Sequence, residues 1–308
     1  MKLRRRILNF IGGHAMLAAT LFSGLLVVAI AAALYLRARP LLVSKPLGDI
    51  LLGEIWLPSS GQFGLKPFIA GTFWVTGLAV ILAVPLCLLA SIYLAEYAGP
   101  KTRAITKPLI DLLAGIPSVV YGVWGVLVII PFVADVLGPY AARHWGKIPF
   151  LATEYTTGFS VLSGGIVLAI MVIPVIVSVS DEVLRAVPAE YREASLAIGA
   201  TRLETVRKVV VRKAMPGLIA SVVLGISRAL GETMAVLMVV GNMPGLPKSV
   251  FDAAYPLPAL IANNYGEMMS IPMYDSALMC VALLLLAIVL FFNIIARFVL
   301  LHAVRGAV

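Results

Sequence analysis

The stretch Val187–Lys213, VPAEYREASLAIGATRLETVRKVVVRK, is a charged island in the second half of an apolar chain, and its local signals define two short helices. Pro188 suits the first position of a helix, because its ring fixes φ and its missing N–H is not needed there. Gly199 suits the left-handed residue that ends one, which leaves room for about three turns between them. Thr201 followed by Glu204 has the spacing of a capping box and opens a second helix directly after the Gly199-Ala200 turn. The first helix carries Glu193, Ala194 and Ser195, small enough around Gly199 for another protein surface to approach the backbone. The second is basic, with Arg202, Arg207, Lys208, Arg212 and Lys213. Charge alone equally describes a cytoplasmic loop that obeys the positive-inside rule.

The rest of the chain explains why such an island stands out. Its 308 residues are 61% hydrophobic and 13% charged, against about a quarter charged in soluble domains, so the chain is an all-α integral membrane protein. A net charge of +9 raises the possibility of nucleic acid, but the basic residues collect beside apolar runs and form no groove interleaved with aromatics. No nucleic-acid partner is expected; membrane lipid is. Cys87 and Cys280 fall within apolar runs and read as packing residues, while His14, His144 and His302 are too scattered for a metal site.

Six charge-poor runs are long enough to cross a hydrocarbon core that takes about 20 helical residues. They are Ile7 to Leu36, Pro67 to Ala95, Leu112 to Ala134, Tyr155 to Ser180, Ala214 to Pro247 and Ser276 to Ala296. The first follows Arg4–Arg6 and has a signal-peptide look, but it far exceeds the roughly 7 to 15 residues of a secretory core and reads as a retained helix. With the N-terminus inside, sixteen Lys and Arg lie in the inner segments and seven in the outer ones. Both termini and the loop 187–213 are therefore expected in the cytoplasm. Residues 1–66 form an N-terminal membrane helix and outer loop, in which Trp56 and Phe63 suit an interface belt. Residues 67–308 form the core of five further helices.

Within these runs a few polar residues call for explanation. Asp111–Gly125 opens the third span, with Ala114, Gly115, Ser118, Gly122 and Gly125 small enough for close helix contact. Pro85 and Pro174 interrupt helices, and Ser178 follows in the fourth span. Arg228 and Glu232 are the charges of the fifth span; four residues apart on a helix, they share a face and can pair. Each charge at mid-membrane costs about 2.5 to 3.5 kcal/mol, so they face the bundle interior or a wet cavity. One reading is a structural ion pair. The other is an anion station, since the planar guanidinium grips two oxygens of a tetrahedral oxyanion and Glu232 holds it when the site is empty. The Pro-rich outer loop Gly241–Asp275 contains a short helix at Leu257–Tyr265, and it suits either docking of an external protein or a merely rigid ectoloop.

Glu193-Ala194-Ser195, three residues, Gly199, nine residues and Val209 resemble the EAA signature of permease subunits of bacterial ABC importers. Where that pattern ends in Leu-Pro this chain has Val211-Arg212, with its proline one turn later at Pro216. The strings Leu113–Gly125, Ile170–Ser180, Glu193–Gly199, Arg228–Asn242 and Ser249–Tyr265 together resemble the PstC-type permeases of high-affinity bacterial phosphate importers, from about Phe68 to the C-terminus. The resemblance implies a type I ABC importer permease architecture of six transmembrane helices with a cytoplasmic coupling helix, in the bacterial inner membrane. It implies a substrate pathway at Arg228, Glu232, Ser118, Tyr121 and Ser178, and ATPase coupling through Glu193, Ala194, Ser195 and Gly199. It further implies a sister PstA-type permease, a dimeric cytoplasmic ATPase that holds ATP and Mg, and an external phosphate-binding protein.

The chain itself offers no cofactor site and no catalytic residue. Gly99-Pro-Lys-Thr102 and Gly245-Leu-Pro-Lys-Ser249 both lack the glycine directly before lysine that a phosphate-binding loop needs. Alternatives are a signalling scaffold of a phosphate-sensing complex, a PstA-type subunit, a permease for another oxyanion, and an ion-coupled carrier. A carrier calls for an inverted repeat and further intramembrane carboxylates, and neither is evident. The PstA-type subunit shares Arg-Ala-x-Gly-Glu, but Val119-Val-Tyr-Gly-Val-Trp-Gly125 and Glu232-Thr-Met-Ala-Val236 are similar to the PstC type.

Overall fold

The computed structural model describes residues 2–146, 148–152, 157–267, 271 and 273–305. Among the described residues, six helices are long and apolar enough to cross a membrane: Gly12–Ser44, Lys66–Tyr97, Ser118–His144, Val161–Arg185, Arg202–Leu230 and Tyr274–Ile295, called spans one to six below. The expected start of the fourth span at Tyr155, and Lys147 and Pro272 of the outer loops, lie outside the described residues.

Span four is the axis of the bundle, with 67% of its most apolar window buried. Lipid gives apolar helices no reason to associate, so contact depends on close packing and polar bridges. Span four supplies both. A side chain at Gly165 would strike Leu78 of span two, and side chains at Gly217 and Gly225 of span five would strike Val183 and Ile176 of span four. Ser180 and Ser221, both fully buried, bond across spans four and five at 2.6 Å. Such a bond contributes only about 0.6 kcal/mol on average, so packing supplies most of the adhesion. Cys87 and Cys280 are buried free thiols, as packing residues should be.

The start of span four is completed by distant chain. The first N–H groups of a helix have no intrahelical acceptor. Here Ser160 N–H donates to Val239 O at 3.3 Å, Val161 N–H to Asp252 O at 2.9 Å and Leu162 N–H to Val250 O at 2.8 Å. Residues 240–256 are thereby stitched into the bundle, with Val250, Phe251, Ala254 and Tyr255 buried. The short helix Leu257–Asn264, anticipated from sequence, begins with Leu257 N–H on Thr72 Oγ1 at 2.9 Å.

Several boundaries move. The first helix continues to Ser44, so Arg37 and Arg39 belong to it and not to a loop; it packs on span six. Trp56 belongs to an aromatic cluster, with ring centroids 5.5 Å from Phe63, 5.2 Å from Phe68 and 6.2 Å from Tyr274. The third run splits at Ile116-Pro117, because the residue before proline is driven out of the helical region. Pro100–Gly115 becomes a separate helix with no buried residue, and span three starts at Ser118. Gly122 and Gly125 do permit close contact, against Met238 and Ala235 and against Val167 and Val239, whereas Gly115 has nothing near it.

Gly164 faces Val240 Cγ2, which an added Cβ would meet at 2.4 Å. Gly164→Leu therefore forces the stitched segment away from span four and costs about 1–3 kcal/mol. A lower melting midpoint of the purified protein in detergent checks this; an unchanged midpoint would show that the two segments are not in contact.

Candidate functional site

Loop 187–213 folds largely as its local signals dictate. Pro188 is extended at φ −56° and ψ 142°, and the helix Ala189–Ala197 begins one residue later. Gly199 adopts φ +88°, its N–H donates to Leu196 O at 3.0 Å, and Ala200 N–H donates to Ser195 O at 3.2 Å. These are the paired bonds of a Schellman ending, which a side chain other than glycine resists. Thr201 and Glu204 form the expected capping box, with Glu204 N–H on Thr201 Oγ1 at 3.3 Å and Thr201 N–H on Glu204 Oε2 at 3.1 Å. The second helix, however, is not short. It passes without interruption into span five, so the loop is one free helix beside the root of a span.

The four loop residues singled out by sequence do not share one role. Ser195 is buried and its hydroxyl lies 2.9 Å from that of Thr205, which ties the two arms of the loop together. Glu193, Ala194 and Gly199 are exposed. So is Ile198, at 87%, beside Leu203 at 67%. Spacing does not mark Ile198, because an apolar residue near a helix end ordinarily folds back onto it.

The second cluster surrounds the end of span five. The helix stops at Leu230, Gly231 and Glu232 N–H close on Arg228 O and Ala229 O at 3.2 and 3.3 Å, and the chain restarts as Met234–Val239. The continuous run to Pro247 expected from hydropathy is thus broken, and so is the pairing of Arg228 with Glu232. Their four-residue spacing places them on one face only while the helix continues, and Gly231 ends it. The ion pairs found among the described residues are Lys66–Glu54, Arg185–Asp181, Arg192–Glu96 and Lys208–Glu204. Glu232 Oε1 instead receives Ala235 N–H at 3.4 Å, at the start of the short helix.

Arg228 is exposed and lies about 22 Å of helix beyond Lys213. Tyr121 on span three donates its hydroxyl to Leu113 O at 2.8 Å. Ser118 and Tyr121 lie one turn apart on span three, while Arg228, Glu232 and Ser178 sit on other elements. Glu232 lines a small cavity with Thr72, Thr76, Val236 and Pro258. Ser178 lines another, of about 50 Å³, with Arg103, Lys107, Asp111 and Arg185. Ser118 is the half-buried first residue of span three. Thr72 and Thr76 are not singled out in the sequence analysis, although their four-residue spacing in an otherwise apolar run is the signal that marks them. Chemically, an exposed guanidinium with no carboxylate partner presents its whole donor fork, the arrangement that binds an oxyanion by two oxygens.

A family model described as the binding-protein-dependent transport system inner membrane component matches residues 87–304. The chain is 38% identical over 252 residues to the probable ABC transporter permease protein YqgH of Bacillus subtilis, covering 81% of this chain and 76% of that one. It is 37% identical over 253 residues to the phosphate transport system permease protein PstC of Xylella fastidiosa, with coverages of 81% and 78%. The PstC protein of Haemophilus influenzae is also 37% identical over 253 residues, covering 81% of this chain and 80% of its own.

The broken geometry has a thermodynamic signature. Arg228→Gln, Glu232→Gln and the double variant should change detergent stability additively, with a coupling below about 0.5 kcal/mol. A double-mutant cycle that returns a coupling well above that value would restore the ion pair.

Proposed function

The chain belongs to the family of binding-protein-dependent transport system inner membrane components, and on that premise we propose that it is the PstC-type permease subunit of an ATP-driven importer that moves inorganic phosphate into the cytoplasm. It is a multi-pass membrane protein with six candidate spans. Phosphate is the substrate in the names of two of its relatives. The observation that carries the reading in this chain is the free fork of Arg228 at the broken end of span five. An unpaired charge costs up to about 2.5 to 3.5 kcal/mol at the bilayer centre on the insertion scale, and a passing anion or a wet pathway offsets such a cost.

In this reading Arg228 is the anion station. Tyr121, held by Leu113 O, lines the route one turn from Ser118. Glu232 waits in its threonine-lined cavity to accept the proton-bearing oxygen of phosphate, and Ser118 and Ser178 border the route. A sister PstA-type permease covers the open side of Arg228, and an external phosphate-binding protein delivers substrate to the face that carries residues 240–264. Both termini and the helix Ala189–Ala197 lie in the cytoplasm. There Ile198, Glu193, Ala194 and Gly199 dock a dimeric ATPase, which holds ATP and Mg. Its closure turns the bundle outward, and hydrolysis resets it. Solute crosses unmodified, so the permease performs no chemistry of its own.

Arg228→Lys should lower uptake of labelled phosphate at least about tenfold, or about 1.4 kcal/mol, because an ammonium cannot replace the fork. Arg228→Gln combined with Glu232→Gln should not restore it. Uptake is measured in cells that lack other phosphate carriers, at matched permease levels; near-normal uptake in either variant would refute the anion station. The orientation has its own check. A cysteine at exposed Glu190 should react with an impermeant maleimide only after the membrane is opened, and one at Met243, 63% exposed, should react in spheroplasts whose membrane is intact. Labelling of both from one side would overturn the topology.

A further inference from the structure

The last turn of span two, Tyr93–Tyr97, is a wide π-helical turn, and three arginines from three other segments close around it. A helix end leaves carbonyls unpaired and carries partial negative charge, so cations suit it. Arg103, from the helix Pro100–Gly115, donates through Nη2 to Leu94 O at 2.5 Å and Ala95 O at 3.2 Å. Arg202, at the root of span five, donates to the next carbonyl, Glu96 O, and lays its guanidinium over the Tyr97 ring at 4.9 Å.

Arg192, in the helix Ala189–Ala197, takes the side chain. Its Nη2 lies 2.6 Å from Glu96 Oε1, and its Nε lies 3.2 Å from both carboxylate oxygens. The same guanidinium donates through Nη1 to Val187 O at 2.5 Å and through Nη2 to Leu184 O at 2.9 Å, at the end of span four. Glu96 is 8% exposed and Arg192 is 23% exposed. At that burial, removing one partner of a bidentate pair strands the other charge, so the contact has to be kept intact.

One side chain thus holds the free helix of the loop to two spans at once, while Arg202 holds the other arm to the same turn. From this geometry we propose that Glu96 and Arg192 form a strut that transmits the motion of the helix Ala189–Ala197 to the ends of spans two and four, and that the strut stays closed throughout the transport cycle. This rests on the reading of that helix as the ATPase dock. Glu96 and Arg192 touch no substrate; they are positioning residues. Without the strut, the helix would follow the ATPase while the bundle stayed behind.

The test uses the complete transporter, permease pair with ATPase, reconstituted in liposomes and supplied with the phosphate-binding protein. Phosphate taken up per ATP hydrolysed should fall at least fivefold in Glu96→Gln and in the milder Arg192→Lys, with ATPase activity retained. In the same variants a cysteine at Ile198 should still cross-link to the ATPase. That result separates loss of the strut from loss of the dock: no cross-link in the parent would refute the docking reading itself. A second variant, Glu96→Cys with Arg192→Cys and the native cysteines replaced, should regain most uptake per ATP when a bifunctional maleimide bridges the pair after assembly. Unchanged uptake per ATP in Arg192→Lys with only a lower melting midpoint would make the pair structural and overturn the strut. So would a bridged pair that binds and hydrolyses ATP but transports no better than the unbridged form.

Discussion

A backbone polar group without a partner costs several kcal/mol in hydrocarbon, and this chain repeatedly interrupts its helices where that cost applies. Each interruption is closed by a specific donor or acceptor. The last carbonyls of span two are met by Arg103 and Arg202, the first amides of span four by carbonyls of residues 239–252, and the end of span five by a tight turn through Gly231. The bundle is therefore organised less by which faces are apolar, since nearly all are, than by where its polar groups find partners. Candidate functional residues lie at these closures for the same reason. A broken helix is where a side chain such as Arg228 or Glu232 escapes the regular face pattern.

That principle also separates what was legible in the sequence from what was not. The capping box at Thr201 and Glu204 and the left-handed ending at Gly199 depend on residues three or four apart, and both formed as read. The six apolar runs were legible because length and composition suffice. The Arg228–Glu232 pairing failed because it assumed a helix that Gly231 ends, and hydropathy is blind to a break whose flanks are equally apolar. The start of span three failed in the same way at Pro117, although there the proline was a visible warning.

Other parts of the site had no local signal at all. Glu96 and Arg192 meet across 96 positions of sequence, and either alone reads as a charge beside a membrane helix. Ser195 was grouped with Glu193 and Ala194 by its place in a motif, yet a buried hydroxyl with Thr205 as partner gives it an internal task. A motif names neighbours in sequence. Only packing distinguishes those that face outward from those that hold the motif in shape.

The stitching of residues 239–252 onto the start of span four has a consequence for biogenesis. A ribosome completes span four long before it makes Val239, Val250 and Asp252, so the leading amides of the most buried helix enter the membrane without their eventual acceptors. Until the 67 residues that follow Arg185 up to Asp252 have been made, those amides must be satisfied by water or lipid headgroups. The start of span four is complete only when the later segment folds back over it. The most buried helix of the bundle is thus completed by chain that is made after it.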